Sequence, residues 1–199
     1  MRSLPLATIL LALALPALAQ DRPPMQPARD VAVTYRAEGG PPGQAGQAEM
    51  RLSWLNAERK MRMDLPGGIG WSVTDTTNGQ TFMVQEAQRM VMRMPADPSR
   101  PNPMQPPADM RFTRRGTETI LGHSCTVWGF AGAEGEGEAC VTADGVMLRS
   151  KGNAPGAGAG SMTATAVSFA AQDPARFRPP AGYATMDMPA MSGGPPPRR

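Results

Sequence analysis

The sequence has little of what enzymes and helical proteins draw on. It holds one histidine, His123, so neither a Ser-His-Asp triad nor a three-His zinc site is indicated. Aromatic residues make up only 5%, which makes a large enzyme with a deep polar site a poor fit. There is no Gly-rich phosphate loop, no paired-carboxylate motif and no nucleotide fingerprint. The two cysteines, Cys125 and Cys140, do not form a Cys-x-x-Cys pair, which argues against redox catalysis. Few windows of helical length lack both Gly and Pro, and this excludes a helical bundle. No Gly-X-Y period is present, and this excludes a collagen.

What is abundant is Gly, Pro and Met, at 22, 22 and 16 of 199 residues. Gly and Pro are unevenly placed. They concentrate in residues 20–30, 39–46, 95–107, 152–160 and 189–199, which read as loops, linkers or disordered ends. Residues 1–19 read as a signal peptide: Arg2, an apolar stretch over 4–15, and the small-x-small site Ala17-Leu18-Ala19. The stretch is too short to span a bilayer. Position 20 is Gln, so no lipid-attachment cysteine follows the cut. The expected product is periplasmic, released by cleavage after Ala19. Arg2 leaves with the signal, so the formal charge of +3 falls by one. The near-neutral remainder gives no reason to expect a nucleic-acid partner. Arg111, Arg114 and Arg115, the one basic cluster, read as a solvated face or an outward edge.

Between the Gly/Pro segments the chain alternates with a period of two, as half-buried strands do. Val31, Val33 and Tyr35 share a face; so do Met50, Leu52 and Trp54, then Met61, Met63 and Leu65. Trp71 with Val73, Met90 with Met92 and Met94, and Val146 with Leu148 continue the pattern. Thr165, Val167 and Phe169 show it more weakly. Two turn signals set expected registers. Asn78-Gly79 pairs Val73 with Val84, and Asp144-Gly145 pairs Val141 with Leu148. Symmetric pairing about Gly132-Ala133 sets Cys125 opposite Cys140, on the polar side with His123, Glu134, Glu136 and Glu138. In an exported chain these cysteines are expected to form a disulfide. The acidic run with His123 nearby is a weak cation-binding alternative to a solvated hairpin tip. A single helical turn is expected near Asp173-Pro174-Ala175-Arg176.

Residues 116–128, Gly-Thr-Glu-Thr-Ile-Leu-Gly-His-Ser-Cys-Thr-Val-Trp, carry a G-x-E-x-I-x-G-x-x-C pattern. Cys140 to Val146, then Phe177-x-x-Pro180-x-Gly182-Tyr183, and the early Met61-x-Met63-Asp64 accompany it. Together these resemble an uncharacterised family of secreted bacterial domains that is itself similar to the LolA/LolB lipoprotein-carrier superfamily. The resemblance covers most of residues 31–188. It implies an all-β, antiparallel, half-open β-barrel with an apolar concave face and few or no long helices. It transfers no ligand-binding residue.

The expected organisation is a signal peptide at 1–19 and a Pro-rich linker at 20–30. A single β half-barrel domain follows at 31–188, with a Pro-rich flap at 95–109, and a disordered tail occupies 189–199. The expected function is non-enzymatic, needs no cofactor, and consists of holding a lipid, an acylated protein or another apolar molecule in a trough. The expected trough residues are Leu52, Trp54, Met61, Met63, Trp71, Phe82, Met90 and Met92. The chain is expected to be a monomer, with peripheral association to the envelope open to it. Two alternatives stand beside this. The trough could be plugged by residues 95–110 or 186–191 in a structural, envelope-interaction module. Alternatively, the thioethers of Met61, Met63, Met90 and Met92 could take up Cu(I).

Overall fold

The computed structural model describes residues 22–39, 46–96, 107–133, 135–154 and 158–188. The expected signal peptide, most of the expected flap and the expected tail lie outside these residues. Among the described residues, twelve strands form one sheet. They are β1 (Val31–Gly39), β2 (Gly46–Leu55), β3 (Lys60–Asp64), β4 (Gly70–Asp75), β5 (Thr81–Gln85) and β6 (Met90–Met94). They continue as β7 (Arg111–Ile120), β8 (His123–Gly132), β9 (Gly135–Val141), β10 (Met147–Ala154), β11 (Gly158–Ser168) and β12 (Ala184–Asp187). The spatial order is β12-β6-β5-β4-β3-β2-β1-β11-β10-β9-β8-β7, an open sheet with β12 and β7 at its edges. The fold is all-β, as the sequence pattern requires. Neighbouring strands are antiparallel except at one end, where β12 joins β6 in parallel.

Alternation or turn pairing predicts every strand except β7 and β12, whose residues it leaves unassigned, and the turns place most of the connections. The registers differ from expectation by small, definite steps. In β4–β5 Val73 faces Phe82 and Trp71 faces Val84, because the connection closes from Asp75 to Gln80 rather than on Asn78-Gly79 alone. Beyond the Asp144-Gly145 turn, Val141 faces Met147 and a bulge absorbs Leu148. Cys140 then faces Arg149, the register expected from the turn. Residues expected as Gly/Ala loop at 152–154 and 158–160 are instead the paired ends of β10 and β11. Gly137, Gly152, Gly160, Gly39 and Gly46 are successive partners across five strands. A Cβ on Gly137 would stand 2.3 Å from the Lys151 carbonyl oxygen and 2.7 Å from Cζ of Phe130. The Phe130 ring lies over the first two glycines of this row, Gly137 and Gly152, where bare backbone permits close approach.

Two hydrophobic cores lie on the sheet. The first gathers Val31, Val33, Tyr35, Trp54, Cys125, Val127, Cys140, Val146, Leu148 and Ala164. Tyr35 is buried, its hydroxyl donates to the Met147 carbonyl oxygen at 2.6 Å, and burial pushes its pKa above the usual tyrosine value. The second core gathers Leu55, Trp71, Val73, Val84, Val91 and Phe177. Phe177 comes from the expected turn, a 3-10 turn over Pro174–Phe177 in which the Asp173 carboxylate accepts from the Ala175 amide at 2.9 Å. Arg62 fastens this turn. Its guanidinium donates to the Arg176 carbonyl at 2.6 Å and stacks 3.8 Å over Trp71.

The disulfide is present, with Cα atoms 5.3 Å apart. It is not on a polar side: Cys125 and Cys140 are 2% and 1% exposed, inside the first core. Nor are the two residues direct partners. Gly132 pairs with Gly135, so the hairpin turn is two residues shorter than expected and Cys140 faces Val127. Residues 22–30, expected as a linker, dock at the β9–β10 turn. The Ala28 amide donates to the Asp144 carbonyl at 2.8 Å, and Arg29 pairs with the Asp144 carboxylate at 2.7 Å.

Candidate functional site

The pairing of β2 through β6 carries no bulge, so it decides which side chains share a face. Leu52 faces Met63, Met63 faces Ser72, Ser72 faces Met83, Met83 faces Met92, and Met92 faces Met186 on β12. A second row runs Trp54, Met61, Thr74, Thr81 and Met94. Six of the eight expected trough residues therefore lie on one face: Leu52, Trp54, Met61, Met63, Met90 and Met92. Trp71 and Phe82 do not. Trp71 faces Asp64, Phe82 faces Arg93, and both pack on the opposite side in the second core, with ring centroids 5.7 Å apart. The expectation of one continuous apolar face fails here. Phe177 covers β2–β6 from the side that the alternation left unassigned.

The two faces of β4–β6 differ in residue type. The face under Phe177 uses Val73, Val84, Val91 and aromatic rings. The other face uses Met83, Met90, Met92 and Met94, interleaved with Ser72, Thr74, Thr81 and Gln85. These methionines are half-buried, and Met186 is 49% exposed. Among the described residues, Met63, Met83, Met90, Met92, Met94 and Met186 belong to neither core nor to its packed fringe. Trp54, Leu52 and Met61 do belong to the first core or its fringe, so they form the base of this face rather than its open part. Met83 was missed by sequence reading because its neighbours Phe82 and Val84 drew the apolar assignment. The usable signal was thioether alternating with branched or aromatic side chains.

Of the expected plug, Met186 and Asp187 do not fold over the face. Residues 184–187 extend the sheet as an edge strand beside β6. The alternative cation site also comes apart. His123 starts β8 and stacks edge-on against Phe169 at 5.4 Å, at the far end of the hairpin from Glu136. Glu134 lies outside the described residues. Glu138 is engaged by Lys151 at 2.8 Å and Arg115 at 3.1 Å, and the Lys151 hydrogen bond holds its carboxyl below the usual value. These ion pairs line an open groove of about 910 Å³ beside the glycine row. Its charges neutralise one another, so no single sign converges there. Arg111, Arg114 and Arg115 sit on the edge strand β7, the outward edge expected of them.

Residues 43–151 match the model of a domain of unknown function, DUF4412. The chain belongs to the DUF4412 family. No curated protein matches this DUF4412 chain. Among solved structures, it is similar to an uncharacterised conserved protein from Thermus thermophilus, with TM-score 0.56 and 11% identity over 81% of this chain and 91% of that one. It is also similar to PNGF-II, with TM-score 0.51 and 15% identity over 81% of this chain and 32% of that one. It spans about a third of PNGF-II, and both likenesses are of fold alone. A LolA superfamily protein from Nitrosomonas europaea superposes more loosely, with TM-score 0.41 and 8% identity over 77% of this chain and 91% of that one.

Proposed function

We propose that this DUF4412 protein is a non-enzymatic, exported binding protein that holds an apolar molecule against the methionine face. Lipid, or the acyl chain of an acylated protein, is the class of ligand. One observation carries the reading: a contiguous set of half-buried thioethers lies outside both hydrophobic cores. Methionine is flexible and polarizable, and suits a surface that adapts to irregular apolar shapes. An apolar area of this kind marks an interaction site more often than it marks idle surface. Each acyl methylene buried there contributes about 0.8 kcal/mol to affinity. Export to the periplasm is supported by the signal-like residues 1–19 and by the Cys125–Cys140 disulfide.

The test is native mass spectrometry and lipid extraction of protein purified from periplasm, together with titration of a fluorescent fatty acid. The expected result is a co-purifying or titratable apolar ligand on a monomer whose N-terminus is Gln20. A protein that is ligand-free and also fails to bind the fluorescent fatty acid overturns the reading.

A further inference from the structure

Met92 stands at the centre of a cross of thioethers. Met83 is its direct partner on β5, and Met186 is its direct partner on β12. Met90 and Met94 flank it on the same face of its own strand. Adjacent strands are about 4.8 Å apart, and directly opposed Cβ atoms about 5 Å. Two rotatable bonds, Cα–Cβ and Cβ–Cγ, set each sulfur's position, which leaves sulfurs from three neighbouring strands able to turn toward a common centre.

We infer that Met83, Met92 and Met186 form a Cu(I) site, with Met90 and Met94 in reserve. Thioether sulfur is a soft donor that selects Cu(I) over hard divalent cations. The remaining side chains on this face are uncharged: Ser72, Thr74, Thr81 and Gln85. Asp187 and Arg93, the charged neighbours, are partners one position along the same ladder and belong to the opposite face. Among the described residues, no group of three His, Cys, Asp or Glu side chains is placed to hold a metal. Both cysteines are consumed in the disulfide, so no thiolate competes for the ion. Packing does not account for the cluster, because none of these methionines joins either core. The exposed Met186 leaves an approach from solvent.

This assignment does not require the apolar-ligand reading, although Met83, Met92 and Met186 all lie on the face that reading uses. Replacing Met by Leu removes the sulfur and keeps the apolar volume, which separates them. The experiment titrates the disulfide-intact mature protein with Cu(I), supplied as its acetonitrile complex without reductant, against a chromophoric Cu(I) chelator. One equivalent is expected to bind, with X-ray absorption showing a sulfur shell. Met92→Leu is expected to weaken Cu(I) binding at least tenfold, and the Met83→Leu/Met186→Leu double variant likewise. Met61→Leu, on the first core's fringe, is expected to leave Cu(I) affinity unchanged. No Cu(I) retained at micromolar concentration overturns the site, as does a nitrogen or oxygen shell. Undiminished Cu(I) affinity in both the Met92→Leu and the double variant also overturns it.

Discussion

Cys140 faces Val127 across the β8–β9 ladder, yet its sulfur is bonded to Cys125, two residues along the strand. The bond runs diagonally between neighbouring strands, where the sheet twist brings the two Cα atoms to 5.3 Å. It closes a loop with a sequence separation of 15 inside the first core. The chain-entropy model gives such a loop about 3 kcal/mol of stabilisation. The Cys125→Ala/Cys140→Ala variant is expected to lose at least that much in urea unfolding. A loss below about 1 kcal/mol would assign the bridge no structural weight.

Phe177 holds the second core from a single 3-10 turn. It is 1% exposed and sits with Trp71, Val73, Val84 and Val91. Phe177→Ala is expected to cost about 3–5 kcal/mol in chemical denaturation, the range for emptying a large buried site. Arg62→Ala removes the stack on Trp71 and the hydrogen bond to Arg176, and is expected to loosen the same turn. Amide hydrogen exchange would register this as faster exchange over residues 174–178.

The glycine row makes a prediction by contrast. Gly137→Ala introduces a Cβ 2.3 Å from one carbonyl oxygen and 2.7 Å from the Phe130 ring, so backbone must move. A cost of about 1–3 kcal/mol is expected, as for other overpacked sites. Gly160→Ala meets its nearest atom at 3.5 Å, an ordinary contact. Its unfolding midpoint is expected to stay near that of the parent protein. Equal effects at the two positions would refute the close-approach account.

Acid sensitivity is expected at Glu86. Its carboxylate accepts from the Tyr183 hydroxyl at 2.6 Å and from the Trp71 indole at 2.7 Å. These bonds, Tyr183 first, lower its pKa below 4.5. A carboxyl whose pKa is lower folded than unfolded adds stability that is fully present above the unfolded value. That part is lost as pH falls from 4.5 through the lowered folded-state value. Glu86→Gln is expected to flatten this portion of the stability–pH curve, measured by thermal melts between neutral pH and the acid limb. An unchanged acid limb would show that the pair does not report on folding. The group is exposed, so the effect is a small one.

The apolar-ligand reading predicts opposite outcomes on the two faces. Met63→Lys places a charge on the methionine face at a half-buried position outside both cores. Fluorescent fatty acid binding is expected to fall more than tenfold, with unfolding free energy changed by less than about 1 kcal/mol. Phe82→Ala, on the other face, is expected to reduce stability and leave ligand affinity intact. A reversed pattern would move the binding face to the side of Trp71.

Alternation and turn residues show most of the strands directly. Met61 and Met63, Met90 and Met92, Val31 and Val33 all share faces as their spacing requires. The Asp173 cap and the disulfide are also legible, one from its local hydrogen-bonding chemistry and the other from cysteine count and export signals. Two kinds of detail are not. A strand slipped by two residues keeps every side chain on the same face. The alternation therefore could not tell Val73 opposite Phe82 from Val73 opposite Val84, nor Cys140 opposite Val127 from Cys140 opposite Cys125. The glycines of β10 and β11 read as loop because local propensity does not see the cross-strand pairing of Gly152 with Gly160, or the Phe130 ring beside Gly152.

The amino-acid sequence by itself determined an all-β chain, which residues share a face of each strand, and an abundance of methionine on those faces. Only the tertiary structure decided which of the two faces is covered. Phe177 is remote in sequence from β4 and β5, and its docking buries Trp71 and Phe82 while leaving Met83 and Met92 on the open side. A period of two separates the sides of a strand. Which side loses its water depends on a contact made from more than eighty residues away.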